Sequence, residues 1–141
     1  MVEPFTQSFK IEGSNFINAG KASTEIKTIL KQLGINSETI RRVAIASYEA
    51  EMNVVMYARC AEFVLEINPK QIKIVASDEG PGISDVELAM REGYSTSTDE
   101  MREMGFGAGM GLPNIKKNSD VFNIESVVGK GTKLEIIINI N

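Results

Sequence analysis

The sequence contains no histidine, no tryptophan and a single cysteine, Cys60. Without histidine, the chain cannot perform Ser-His-Asp or Cys-His catalysis, bind a metal through imidazole, or phosphorylate itself on histidine. A single cysteine excludes an internal disulfide bond and fits a reducing compartment.

Basic charge and long apolar runs are also scarce. The 15 lysine and arginine residues are outnumbered by 19 aspartate and glutamate residues, and the formal net charge is −4. Because no basic stripe is present, we expect no direct contact with nucleic acid. No apolar stretch approaches the ~18 residues of a membrane span, and the acidic start at 1–4 is unlike a signal peptide. We therefore expect a cytoplasmic protein without a membrane partner, and its 141 residues predict one domain over 1–141.

The spacing of apolar residues predicts a chain that begins β-α-α and continues in hairpins. Strands are predicted at 5–12, 61–67, 71–76, 121–127 and 132–140. Helices are predicted at 16–33, 36–57, 84–92 and 110–118, with a mobile lid at 93–105. Gly34 is the predicted left-handed residue at the end of the first helix, and Asn36 or Ser37 is the predicted cap of the second. Helices in a block and strands in hairpins are typical of an α+β two-layer sandwich. We expect a mixed, mostly antiparallel sheet of about five strands, covered on one face by helices.

Four glycines at alternate positions stand directly before a predicted helix: Gly105, Gly107, Gly109 and Gly111. Glycine lets the backbone approach a ligand closely, and a helix N-terminus presents unpaired N–H groups that suit phosphate. A flexible hinge is the ordinary alternative. These four alternating glycines, the glycine ladder, favour a phosphate-binding loop. The ladder is neither a P-loop nor a Rossmann fingerprint, because the neighbouring residues do not match either motif.

A carboxylate and two glycines, Asp78-x-Gly80-x-Gly82, follow a predicted strand. A carboxylate at a strand end can accept a hydrogen bond from an exocyclic amine such as that of adenine, while the glycines let a base lie against the backbone. An ordinary turn explains the same pattern. Thr132 follows Gly129-x-Gly131 and can place a hydroxyl beside the base, but a hairpin turn accounts for it equally.

Glu49 and Asn53 are four residues apart on the second predicted helix, so they share one face. An amide oxygen is a hard ligand that suits Mg²⁺, and a nearby carboxylate can act as a general base or align a nucleophile. The alternative is a solvated helix face, which we expect for Glu51 on the same helix.

These motifs occur in an order that resembles a known family, the GHKL ATPases, which include gyrase B, MutL and sensor histidine kinases. Glu49-x-x-x-Asn53 resembles the family's N box, and the stretch 78–83 resembles its first glycine box. The stretch 105–112 resembles the second glycine box, and 129–132 resembles the last glycine–threonine motif. The resemblance implies a Bergerat-type ATP-binding fold.

Within this group, the short chain is similar to the anti-sigma-factor serine/threonine kinases. Residues 92–97 and 107–113 most resemble the switch kinases of stress-signalling modules. One departure is Val54, where the family often has a small residue after the asparagine. The absence of histidine separates the chain from complete sensor histidine kinases.

The resemblance implies a role for each matching residue. Asn53 would hold Mg²⁺ against the phosphates of ATP, and Glu49 would be the catalytic base or align the attacking hydroxyl. Asp78 would bind the adenine amine, with Gly82 beneath the ring and Thr132 in support. The resemblance also assigns nucleotide binding to the remaining glycines: Gly80, Gly105, Gly107, Gly109 and Gly111.

The resemblance further implies a protein kinase whose substrate is a serine or threonine of a STAS-domain anti-anti-sigma or antagonist protein. Family members often form homodimers, and some bind a sigma factor or activate a phosphatase. Two alternatives remain open. One is a non-catalytic ATP-gated module that sequesters a sigma factor or activates a phosphatase, and the other is an ATPase fragment related to histidine kinases.

Overall fold

A computed structural model of the protein describes residues 4–83, 86–90 and 111–140. The predicted lid at 93–105 and three glycines of the ladder, Gly105, Gly107 and Gly109, lie outside these ranges.

The described chain forms one five-stranded sheet and four helices. The strands are β1 (Phe5–Glu12), β2 (Cys60–Ile67), β3 (Gln71–Glu79), β4 (Val121–Val127) and β5 (Gly131–Asn139). The helices are α1 (Lys21–Gln32), α2 (Ser37–Tyr57), α3 (Val86–Ala89) and α4 (Gly111–Lys117). The sheet order is β1-β2-β3-β5-β4, and each neighbouring pair is antiparallel. The predicted α+β fold with a mostly antiparallel sheet is confirmed. Strands β3 and β4 run in the same direction, but they do not pair with each other, because β5 lies between them.

The core lies between the helices and one face of the sheet. Strand alternation places Phe9, Phe63, Ala76 and Leu134 in one row across four strands, and all four are buried. The helices bury their own apolar stripes against this face: Ile26, Leu30, Val43, Ala46, Ala50 and Ile115. The other face carries charged side chains such as Lys73 and Glu135, whose Nζ and Oε2 atoms lie 3.4 Å apart. This alternation is why helices cover one face only.

The first helix begins later than the sequence predicts. We expected it from residue 16, but α1 begins at Lys21. Gly20 precedes it with a left-handed φ of 93°, a conformation that glycine adopts without a steric penalty. The periodic apolar residues before it lie outside any helix, so apolar spacing alone placed the start more than one turn too early.

The start of α1 is set by a carboxylate from α2. The backbone N–H groups of Gly20, Ala22 and Ser23 donate to Glu51 at 3.1, 3.2 and 2.9 Å. Helix N-termini leave such donors unpaired within the helix, so an acidic side chain there is stabilising. The expectation that Glu51 lies on a solvated face is wrong: its side chain is buried, with 2% exposure.

The start of α2 agrees with the sequence pattern. Gly34, with φ 75°, follows α1 as the predicted left-handed residue. The Asn36 side chain accepts the Thr39 N–H at 2.8 Å and so caps α2. The resulting helix has 21 residues. Among the helices that the structure describes, none combines the length and apolar character that a membrane span needs.

Candidate functional site

The middle of α2 presents Glu49 and Asn53 to the start of α4. Both side chains are half-buried, and their oxygens converge on Gly111. A Cβ atom on Gly111 would lie 3.2 Å from Asn53 Oδ1 and 3.3 Å from Glu49 Oε2. Such contacts are closer than carbon and oxygen normally approach without a local shift. A glycine at this position therefore lets α4 begin directly against the two oxygens.

The oxygens of Glu49 and Asn53 are available to a ligand. Within residues 4–83, 86–90 and 111–140, neither side chain has a hydrogen-bond or ion-pair partner. Burial raises the pKa of Glu49 above its ordinary value of 4.5, because a desolvated carboxylate loses part of the hydration of its charged form. The amide oxygen of Asn53 suits Mg²⁺, which usually takes one or two protein ligands and completes its shell with phosphate and water.

A second cluster of polar residues, separate from Glu49 and Asn53, lies at one end of the sheet face that the helices cover. Ser126 on β4 pairs with Thr132 on β5, and Asp78 lies beside Thr132, one residue beyond the last paired residues of β3 and β5. These three residues follow the apolar rows of the same face. The polar row therefore lies where the core ends and a polar ligand can enter.

Asp78 and Thr132 are joined directly. The Thr132 N–H donates to Asp78 Oδ1 at 3.0 Å. The pKa of Asp78 is raised by burial, and the Thr132 N–H offsets part of that effect by stabilising the charged form. In the part of the chain that the structure describes, Asp78 Oδ2 has no hydrogen-bond partner. It can therefore accept a hydrogen bond from a ligand.

The glycine box after Asp78 docks against the β4–β5 turn. Gly82 has a left-handed φ of 76°, and a Cβ on it would collide with Val127 O. The Gly129 N–H donates to Pro81 O at 2.8 Å. Gly131 is equally constrained, because a Cβ there would collide with the backbone oxygen of Asp78. Glycine at these positions allows the box and the turn to pack backbone against backbone.

The pair Glu49 and Asn53 and the cluster around Asp78 are placed at different points along α2. A Cβ on Gly80 would lie 3.2 Å from Ala58 Cα, and Ala58 is the C-cap of α2. Asn53 precedes Ala58 by five residues, or about 7.5 Å of helix, and Glu49 lies about 6 Å further. The site is thus elongated, with Asp78 near the C-terminal end of α2 and Gly111 beside its middle.

The sequence analysis did not identify Ser126 as part of the site. Its Oγ atom accepts the Ile83 N–H at 2.7 Å and lies 2.9 Å from Thr132 Oγ1. The available signal was the alternation of side chains along β4. The less exposed positions are Phe122, Ile124 and Ser126, so a polar residue stands where an apolar one is expected. One serine in one strand is too weak a signal without the partners that the fold brings to it.

Comparisons with known proteins identify the family of the chain. Residues 15–138 match the family model described as a histidine kinase-like ATPase domain. The chain is 34% identical over 115 residues to the serine/threonine-protein kinase RsbT of Bacillus subtilis (strain 168), covering 79% of this chain and 80% of that protein. It is 32% identical over 123 residues to the anti-sigma F factor of Caldanaerobacter subterraneus subsp. tengcongensis, covering 82% and 80%.

A solved structure shows the same fold. The mycobacterial sensor histidine kinase MprB superposes with a TM-score of 0.58 and 15% sequence identity, covering 97% of this chain and 99% of that one. The family model and the two relatives each span most of the chain. The chain therefore belongs to the histidine kinase-like ATPase family and, within it, to the group of anti-sigma-factor and stress-module serine/threonine protein kinases.

Proposed function

We propose that the protein uses Mg²⁺-ATP to phosphorylate a serine or threonine of a STAS-domain antagonist protein and so regulates sigma-factor signalling. The observation that carries this proposal is the convergence of the Glu49 and Asn53 oxygens on Gly111, in a chain 34% identical to a serine/threonine kinase. A carboxylate and a hard amide oxygen at the start of a glycine-preceded helix are suited to phosphate transfer to a hydroxyl.

The phosphate end of the proposed site contains Asn53, Gly111 and Glu49. Asn53 Oδ1 would supply a ligand to Mg²⁺, which when bound offsets the charge of the phosphates. Gly111 lets the start of α4 lie against the side-chain oxygens of Asn53 and Glu49, and we propose that it lines the phosphates together with Gly105, Gly107 and Gly109. The substrate hydroxyl oxygen forms a bond to the γ-phosphorus, its proton passes to the Glu49 carboxylate, and ADP leaves with the bridging oxygen. If Glu49 only aligns the hydroxyl, the same contact remains and the proton passes to the transferred phosphate instead.

The base end of the proposed site contains Asp78, Gly82 and Thr132. Asp78 Oδ2 would accept an N–H of the adenine amine, since Oδ1 already accepts the Thr132 N–H. Gly82 would lie beneath the ring and Gly80 beside it, held in place because the Cβ positions they lack are filled by Val127 and Ala58. The burial that raises the pKa of Asp78 also strengthens such a hydrogen bond, because water competes less for the two partners.

Replacing Asp78 by asparagine tests the base end. We expect the Kd for ATP to rise about tenfold or more, since a charge-assisted hydrogen bond is lost and the new NH₂ group faces other donors. Isothermal titration calorimetry measures this directly. Glu62→Gln is the matched control, because Glu62 is exposed on the neighbouring strand β2. Unchanged ATP affinity in Asp78→Asn would remove Asp78 from the site.

Removal of magnesium tests the phosphate end. We expect chelation by EDTA to weaken ATP binding on the order of tenfold and ADP binding less, because Mg²⁺ held by Asn53 would offset the charge of the outer phosphates. The same titrations with Asn53→Ala should show little further effect of EDTA. Equal losses for ATP and ADP in the wild-type protein would contradict the placement of Asn53.

The kinase proposal itself is tested by incubating the protein with radiolabelled ATP, Mg²⁺ and a purified STAS-domain protein. Phosphoserine or phosphothreonine on that protein supports the proposal, and phosphohistidine on a partner would favour the histidine-kinase fragment instead. ATP-dependent capture of a sigma factor or a phosphatase without transfer would favour the non-catalytic binding module. We further propose that the protein acts in the cytoplasm and that it pairs as a homodimer.

A further inference from the structure

The hydroxyl of Ser126 lies at the centre of a small hydrogen-bond network. It accepts the Ile83 N–H at 2.7 Å, lies 2.9 Å from Thr132 Oγ1, and donates to Gly131 O at 3.3 Å. The network joins the glycine box, β4 and β5. It also lies next to Asp78, because Thr132 donates its N–H to that carboxylate.

Counting hydrogens decides how the network is oriented. A hydroxyl has one hydrogen to donate and can accept two hydrogen bonds. If Ser126 donates to Gly131 O, it can accept from both Ile83 N–H and the Thr132 hydroxyl, and all three contacts are satisfied. If Ser126 donates to Thr132 instead, the contact with Gly131 O is lost. Among the described residues the first arrangement makes one more hydrogen bond, and in it the Thr132 hydrogen is already used.

In this arrangement the Thr132 hydroxyl can only accept a hydrogen bond from a ligand. Beside it lies Asp78, whose Oδ2 atom has no partner among the described residues. The site therefore presents two neighbouring acceptors. An amine with two N–H groups satisfies such a pair, whereas a carbonyl oxygen at the same place would face two other acceptors and be repelled.

We propose that Ser126 is a positioning residue that holds the Thr132 hydroxyl as an acceptor and so selects a purine with an amine at carbon 6 over one with a carbonyl there. This inference rests on the proposed function, because it concerns the base end of the same nucleotide site. Ser126 acts through Thr132 and through the Ile83 N–H, and it need not touch the base.

The test compares ATP with inosine triphosphate, which has a carbonyl in place of the amine at carbon 6. By calorimetry we expect the wild-type protein to prefer ATP on the order of a hundredfold. In Ser126→Ala the Thr132 hydrogen loses its partner and can turn toward the ligand. We then expect the preference for ATP to fall about tenfold, through weaker ATP binding and unchanged or tighter inosine triphosphate binding. Ser126→Thr keeps a hydroxyl and should restore most of the preference.

The control is Ser77→Ala, because Ser77 is exposed on the opposite face of the sheet, directly before Asp78. It should leave the preference unchanged. If Ser126→Ala weakens both nucleotides equally, Ser126 is only structural and the proposal is overturned. Equal wild-type affinities for the two nucleotides would also overturn it while leaving the proposed function intact, whereas a wild-type protein that binds neither would refute both.

A second variant keeps the proposal testable if Ser126→Ala does not fold. Thr132→Val retains the backbone N–H to Asp78 and the shape of the side chain but removes the acceptor oxygen. We expect it to narrow the gap between ATP and inosine triphosphate about tenfold. An unchanged gap in this variant would overturn the proposal.

Discussion

Replacing Glu49 by glutamine is expected to slow phosphate transfer by a factor of about 10² to 10⁴, the usual contribution of a positioned general base. The binding of ATP should change less than threefold or so, because the proposed nucleotide contacts are made by other residues. Glutamine keeps the shape of the side chain but cannot accept the substrate proton. Single-turnover transfer to a STAS-domain substrate, together with calorimetry for ATP, separates the two effects.

The pH dependence of transfer provides a second readout for Glu49. Burial raises the pKa of its carboxyl group, and a base must be deprotonated to act. The rate should therefore fall as the pH decreases through this raised pKa, at a higher pH than the ordinary value of 4.5. The residual transfer rate of Glu49→Gln should not show this decrease at low pH. Wild-type transfer rates in Glu49→Gln would eliminate Glu49 as the base.

The stability of Glu49→Gln distinguishes a lost base from a damaged fold. Because the folded-state pKa is raised, ionised Glu49 destabilises the folded protein above the unfolded-state pKa. The neutral glutamine removes that cost, so the variant should unfold at or above the wild-type temperature. Glu25→Gln, at an exposed position of α1, should change neither the stability nor the transfer rate.

Replacing Glu51 by alanine is expected to lower the free energy of unfolding by about 3 kcal/mol or more, because a buried acceptor of three N–H bonds is lost. The unpaired donors would be those of Gly20, Ala22 and Ser23, which Glu51 now satisfies at 2.9 to 3.2 Å. For a chain of this size the midpoint should fall by about 10 °C. Thermal denaturation followed by circular dichroism measures the change.

Two comparison variants make the Glu51 prediction specific. Glu51→Gln retains one oxygen but turns an NH₂ group toward backbone donors, so it should recover only part of the loss. Glu25→Ala removes an exposed glutamate from α1 and should stay within about 0.5 kcal/mol of the wild type. If Glu51→Ala melts at the wild-type temperature, the carboxylate does not hold the start of α1.

Local patterns were sufficient where the physical cause is local. The bounds predicted for β1 and β4 are the observed ones, because both strands alternate and are bounded by turn residues. Gly34 and Asn36 act as predicted at the helix ends, because a left-handed residue and a side-chain cap depend on a few neighbouring residues.

The prediction for the start of α1 was wrong because its physical cause is not local. Its unpaired N–H groups are satisfied by Glu51, a residue 28 to 31 positions away. A charged residue on a helix usually faces solvent, so nothing near Glu51 in the sequence indicates that it is buried. Ser126 was missed in the same way, since its partners Ile83 and Thr132 come from two other segments.

Composition and local spacing were sufficient for the fold class, for the exclusion of histidine chemistry, and for the order of acidic and glycine motifs that led to the family. These properties depend on periodicities of a few residues, which can be read in each segment separately. The convergence of Glu49 and Asn53 on Gly111 became visible only in the folded chain, and so did the row of Asp78, Thr132 and Ser126. Those relations depend on packing between distant segments, where a missing Cβ or one satisfied N–H determines which side chains meet.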